Sequence, residues 1–313
     1  MNNKKILITG SNGFTARHFM RYLDLSGVDG TQIFAADRKP EPAGARGRHF
    51  IKIDLLDKGQ VSRMLRKVKP DLIFHFAGLN SSRDYEELLR GNLFTTHNLL
   101  DAVVRNEFSP RILIVGSAAE YGIAGSSKNP IRETSSIAPV TPYGVSKAAQ
   151  TMLALQYQRS FGLYIVVARS FNLVGPGQTT GLVCGSIVNQ VKAICTGKAK
   201  ADKLVVGNTH TKRDFVDVRD AVRAYWQLLA CRRNISGQVF NIGSGRSNSI
   251  RGVIGILLKY CGRDIPLERH PGKIQGVDVP VQVADVTKVK ATIGWKSTIP
   301  IEKSLKDMYE DLA

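Results

Sequence analysis

Hydrophobic positions along this chain fall into two rhythms. "KKILITG", "QIFAAD", "HFIKID", "DLIFHFAG", "RILIVGS" and "LYIVVARSF" are short, mostly continuous runs of Ile, Val, Leu and Phe. Runs without polar alternation predict strands covered on both faces. Between them, "FTARHFMRYLDLSG", "KGQVSRMLRKVKP" and "NLFTTHNLLDAVVRNEF" read as amphipathic helices. That alternation predicts an α/β fold with a doubly wound parallel sheet over residues 1–172. Beyond it, "GPGQTTG" reads as a loop, "LVCGSIVNQVKAICTG" as a helix, "RDFVDVRDAVRAYWQLLA" as strand then helix, and "GQVFNIGSG" as a strand. The expectation is a smaller, interleaved α/β substrate domain over 173–313, with a segment near 210–243 returning to the first.

Composition narrows the class. Among 313 residues, 43% are hydrophobic and 22% charged, as in a soluble globular protein. No apolar run approaches the ~18 residues of a membrane span. "MNNKKILITG" enters a strand at once, without the apolar core of a signal peptide, so a cytoplasmic location is expected. Cys184, Cys195, Cys231 and Cys261 lack metal-ligand spacing, which predicts no metal site and four reduced thiols. The balance of 44 Lys+Arg against 26 Asp+Glu gives +18, a charge that favours polyanionic partners. Without a basic run of five or an aromatic–basic pattern, solvated basic faces account for it better than nucleic-acid binding does.

The stretch "ITGSNGFTAR" follows the first strand and opens the first helix. Gly10 and Gly13 permit a tight turn and close approach of backbone to a pyrophosphate, with Ala16 in place of a third glycine. This is a dinucleotide-binding loop of Rossmann type, with Asn12, Phe14 and Thr15 as its other candidate contacts. Asp37, at the end of the second strand, is placed to hold an adenosine ribose, which favours NAD. Arg38 would suit the 2′-phosphate of NADP, so either cofactor is open.

In "TPYGVSKAAQ", Tyr143 and Lys147 stand one helical turn apart. A phenol with an ordinary pKa near ~10 is a poor acid. A neighbouring ammonium and a cationic nicotinamide would lower it, making Tyr143 a proton donor or acceptor while hydride moves. Ser117 ends the strand "RILIVGS", where a hydroxyl would orient the reacting oxygen. Each residue alone has a plainer reading, as a surface pair or a turn cap.

Together with Asp54-Leu55, "HFAG", "YGVSK" and "RSFNLVGPGQ", these motifs resemble the extended short-chain dehydrogenase/reductases over essentially the whole chain. Members act on nucleotide-linked sugars. The resemblance implies that Asp54 and Leu55 flank the adenine and that Ala77, Gly78 and Asn92 line the cofactor cleft. It implies Asn172 at the substrate diphosphate and Arg213 at the nucleotide, although an ion pair with a neighbouring acid would explain Arg213 nearly as well. It also implies a homodimer through the helix after Asn92 and the helix carrying Lys147.

Within the family, 4,6-dehydratases carry an acid two places after the catalytic Ser/Thr; here Ala119 stands there, preceded by Ala118. Ala119 also occupies the place of the acid–base cysteine of fucose-synthase-type epimerase–reductases, and Gly177 that of their histidine. Dehydration and epimerisation beside a ketone are therefore disfavoured. Reduction of a 4-keto sugar and 4-epimerisation remain. "FNLVGPGQ", "RDFVDVRDAVRAYWQLL" and the tail "VPVQVADVTKVKATIGW" look like the reductases that convert GDP-4-keto-6-deoxy-D-mannose to GDP-D-rhamnose. Their diphosphate-gripping Arg-Pro is Gln275-Gly276 here, leaving Arg269 or Lys273 as substitutes and the nucleotide open. A nucleotide sensor or RNA-binding scaffold on the same fold is a more distant reading, since such proteins lose the tyrosine or the lysine.

Overall fold

The structure, a computed structural model, describes residues 4–27, 30–40, 48–80, 82, 84–125, 129–199, 202–270 and 279–311. The strands are β1 (Lys5–Thr9), β2 (Gln32–Asp37), β3 (His49–Lys52), β4 (Leu72–His75), β5 (Arg111–Ser117), β6 (Tyr164–Ser170), β7 (Asn172–Val174), β8 (Leu204–Val206), β9 (Lys212–Arg213), β10 (Phe215–Asp217), β11 (Val239–Ile242), β12 (Asn248–Ser249), β13 (Leu267–Arg269) and β14 (Val281–Gln282). The helices are α1 (Phe14–Leu25), α2 (Lys58–Val68), α3 (Tyr85–Leu89), α4 (Thr95–Arg105), α5 (Pro142–Phe161), α6 (Val183–Cys195), α7 (Val218–Ala230), α8 (Ile250–Cys261), α9 (Thr287–Ile293) and α10 (Ile301–Asp311).

Seven strands form one parallel sheet in the order β11-β6-β5-β4-β1-β2-β3, the doubly wound Rossmann arrangement. The continuous apolar runs have a direct cause. Ile6 and Ile8 of β1 pack with α1 and α7 on one face, while Leu7 between them packs with α2 and α4 on the other. Each fully buried side chain of this kind contributes about 1.5–3 kcal/mol. α1 buries Ala16, Phe19, Met20 and Leu23, the single stripe its spacing predicts. A third apolar cluster joins α6, α8 and α10 around β8.

Strand order reverses between β1 and β4, so the crevice beyond their carboxyl ends is the place for a ligand. Beside it, β5 and β6 are tied by a buried ion pair. Glu120 accepts from Arg169 Nε at 2.8 Å, and its other oxygen accepts from the Ser117 amide at 2.7 Å. Arg169 also donates to the Tyr121 hydroxyl, which in turn donates to Asn241 of β11. Asp214 is likewise buried but satisfied, accepting from the amides of Ser244, Gly245 and Ala284.

One expectation fails. Cys195 and Cys261, at the ends of α6 and α8, are joined as a disulfide with their Cα atoms 6.3 Å apart. Nothing in their separation of 66 residues signals this, because only the packing of α6 on α8 brings them together. Cys184 and Cys231 are free, and burial pushes the Cys184 thiol up to about 12.

Two outcomes follow. Unreduced protein, denatured and titrated with a thiol reagent, should react at two cysteines and at four after reduction; four without reductant would refute the pairing. Glu120→Gln leaves Arg169 charged and unpaired, and should lower stability in urea unfolding by about 3–5 kcal/mol. A loss under ~1 kcal/mol, typical of an exposed pair, would show that this ion pair adds little to the β5–β6 ladder.

Candidate active site

The crevice begins with the loop between β1 and α1. Gly10 has φ +68, and a Cβ there would come within 2.6 Å of the Ala77 backbone. Only glycine lets this loop lie against the end of β4. Gly13 caps α1 and donates its amide to the Gly10 carbonyl at 3.0 Å. Phe14 and Thr15 form the first turn of α1, and Phe14 meets His18 edge-on. Asn12 turns towards the end of β2, its amide donating to Asp37 at 3.0 Å and its side chain to the Pro40 carbonyl at 2.9 Å.

A cleft of about 250 Å³ opens beside this loop, and Gly10, Asp37, Arg38, Asp54, Leu55, Ala77 and Gly78 all line it. The close-approach glycine at a helix N-terminus and the acid at the end of β2 fit a dinucleotide. Asn92 stands behind the cleft, fully buried in the π-helical turn Arg90–Phe94. Its side chain accepts from the Leu79 amide at 2.8 Å and donates to Ser146 Oγ at 2.9 Å. It thereby fastens the loop after β4 to α5.

α5 starts sharply, with Thr141 accepting from the Gly144 amide at 3.0 Å and Pro142 in the first turn. Both Tyr143 and Lys147 are therefore helical, on adjacent turns. A Cβ on Gly144 would lie 2.6 Å from the Ala119 carbonyl, so the glycine lets α5 press against the turn after Ser117. The Ser117 side chain consequently lies near enough to the Tyr143 phenol to draw its pKa down. Lys147 is buried and donates through Nζ to the Val115 carbonyl at 2.6 Å and to Gln150.

The electrostatics differ from the sequence-based expectation. Burial pushes the Tyr143 phenol up; the Ser117 side chain opposes this and the charge of Glu120 adds to it. In the cofactor-free site the depression expected from Lys147 does not appear; burial dominates, and the ammonium donates to Val115 and Gln150. Burial lowers Lys147 itself to about 8, with Glu120 working against the shift. The resting arrangement is thus a protonated phenol beside a weakly held ammonium proton. Ala118 and Ala119 offer no base, and Gly177 lies in the turn facing Arg17 of α1.

The two substrate candidates lie outside the seven-stranded sheet, on β7 and β9. Asn172 of β7 donates to the Asp214 carbonyl at 3.2 Å, and Arg213 of β9 to the Val279 carbonyl at 2.6 Å. Arg269 is exposed on β13, while Lys273, Gln275 and Gly276 lie outside the described residues. Sequence reasoning passed over Glu120 and Gln150. The first stood within "SAAEYG" beside the alanines it weighed, and the second closes "TPYGVSKAAQ".

Comparison with known proteins agrees with this geometry. The GDP-mannose 4,6 dehydratase family matches residues 7–308. The GDP-6-deoxy-D-mannose reductase of Pseudomonas aeruginosa is 30% identical over 98% of this chain and 97% of its own. A dTDP-6-deoxy-L-talose 4-dehydrogenase (NAD(P)(+)) of Kitasatospora kifunensis is 26% identical over 97% of this chain and 94% of its own. The solved structure of RMD from Pseudomonas aeruginosa complexed with NADPH has a TM-score of 0.84 at 29% identity, covering 98% of both chains. Among the described residues, no helix is long and apolar enough to cross a membrane. The chain belongs to the GDP-mannose 4,6 dehydratase family, and is an NAD(P)-dependent enzyme of the extended short-chain dehydrogenase/reductase type.

Proposed function

We propose that this enzyme reduces the 4-keto group of a nucleotide-linked 6-deoxy sugar, with GDP-4-keto-6-deoxy-D-mannose as substrate and GDP-D-rhamnose as product. The observation that carries the proposal is a phenol placed for proton transfer with no side-chain base at the two positions after Ser117. Tyr143 stands beside Ser117 at the end of β5, and alanines occupy positions 118 and 119. The resemblance to a reductase of that name over nearly the full length supports the sugar.

The reduced nicotinamide supplies the hydride when bound. Ser117 holds the C4 oxygen towards Tyr143, whose phenol gives up its proton as that oxygen gains the carbonyl electron pair. The raised phenol pKa keeps that proton in place at neutral pH. With the cofactor bound, Lys147 would supply positive charge to the phenolate as it forms. Gly10, Asp37, Arg38, Asp54, Leu55, Ala77 and Gly78 line the cleft that would hold the cofactor, Asn12, Gly13, Phe14 and Thr15 would complete its cradle from the adjoining loop and helix start, and Asn92 supports it from behind. Asn172 and Arg213 face the substrate side. A homodimer through α4 and α5 accounts for the exposed Phe94, Met152 and Phe161.

The same three groups would serve a nucleotide-sugar 4-epimerase, and the relatives include a UDP-glucose 4-epimerase of Azospirillum brasilense at 27% identity. Cofactor stoichiometry separates the two. Addition of GDP-4-keto-6-deoxy-D-mannose should oxidise NADH or NADPH one for one. Interconversion of 4-hydroxyl epimers without net cofactor use would instead establish an epimerase. Tyr143→Phe should abolish turnover and leave NADPH affinity, read by fluorescence quenching, within about twofold of wild type; a matching loss of affinity would remove Tyr143 from the proton-donor role.

A further inference from the structure

Gln150 is fully buried, three residues beyond Lys147 on α5. A primary amide buried without partners is costly, and leucine would fill a similar volume at no such cost. The partners therefore indicate what the amide is for. Its Nε2 donates to Thr96 Oγ1 at 2.7 Å, and its Oε1 accepts from Lys147 Nζ. Thr96 Oγ1 also lies 2.7 Å from the Asn92 carbonyl and 2.9 Å from His75 Nε2. His75 Nδ1 lies 2.7 Å from Thr9 Oγ1.

The directions of these bonds follow from the donors available. The Asn92 carbonyl only accepts, so it takes the one hydroxyl proton of Thr96. Thr96 Oγ1 then accepts from both Gln150 and His75. Burial holds His75 neutral, with its pKa lowered to about 3. A neutral ring protonated at Nε2 has a bare Nδ1, which accepts from Thr9. The Gln150 amide cannot flip without placing its carbonyl against the lone pairs of Thr96. Its oxygen is therefore locked towards Lys147 by a chain that runs from α5 through α4 and β4 to the end of β1.

We propose that Gln150 is a positioning residue whose carbonyl, locked by Thr96 and His75, holds the ammonium of Lys147 at the end of β5 beside Tyr143. It rests on the proposed role of Lys147 but not on the identity of the sugar. Thr9 at the far end directly precedes Gly10, so the same chain ties the lysine to the first residue of the cofactor loop. The titratable groups around Lys147 are Glu120 from the turn after β5, His75 from β4 and Tyr143 one turn earlier on α5, while α4 presents neutral Thr96 and the π-helical turn before it neutral Asn92.

An acceptor stabilises the charged lysine, so removing it lowers the pKa and sharpening its charge raises it. The test is NMR titration of 13C-labelled lysines in the cofactor-free protein, with the Lys147 signal assigned by its loss in Lys147→Met. Gln150→Leu should lower the Lys147 midpoint by about one unit, the scale of one hydrogen bond to a charged group. Gln150→Glu should raise it, and Thr96→Val should lower it part of the way. The upper limb of the kcat–pH profile should move in the same directions. Unmoved midpoints in both Gln150 variants would overturn the proposal, as would a loss of activity equal at every pH. The NMR result stands whichever nucleotide sugar the enzyme turns over, so a failed substrate assignment leaves the test intact.

Discussion

A buried ammonium sets the terms for the rest of this site. Lys147 is nearly inaccessible to water, and a cation so placed is tolerated only where acceptors surround it. The Val115 carbonyl, the Gln150 amide and the charge of Glu120 meet that need from β5, α5 and the turn between them. Each of these requires further support. Glu120 is held by Arg169 across the β5–β6 pair, Gln150 by Thr96 on α4, and α5 is seated on Ala119 through Gly144. The parallel sheet thus serves as the frame that brings these acceptors to one point.

Tyr143 has a raised rather than a lowered pKa because burial disfavours its phenolate and the carboxylate of Glu120 adds to that, against the pull of Ser117. A donor that keeps its proton until the substrate oxygen becomes basic is suited to reduction. A phenolate poised in advance would suit abstraction of a proton from an alcohol. The absence of a side-chain base at positions 118 and 119 points the same way.

Much of the fold was legible because buried parallel strands write themselves as continuous apolar runs, and the alternation with amphipathic helices dictates a doubly wound sheet. The glycine loop was legible because Gly10 meets a constraint, φ +68 against Ala77, that few other residues can satisfy. The residues of the polar chain were not. Gln150 on α5 and Thr96 on the helix before it have the same sequence signature as solvent-facing residues, and only the packing of α4 on α5 joins them. Arg169 and Glu120 are 49 positions apart and meet through strand pairing. The Cys195–Cys261 pair was hidden for the same reason, and there the expectation of reduced thiols was wrong.

The central claim is that this site moves one proton, through Tyr143, and has no second base to act on the sugar's other carbons. Reduction of the 4-keto sugar carried out in D2O and read by mass spectrometry and NMR tests it directly. The account predicts a product with hydrogen from the cofactor at C4 and no solvent deuterium at C3 or C5 above the enzyme-free control. Enzyme-dependent deuterium at C3 or C5 would contradict it.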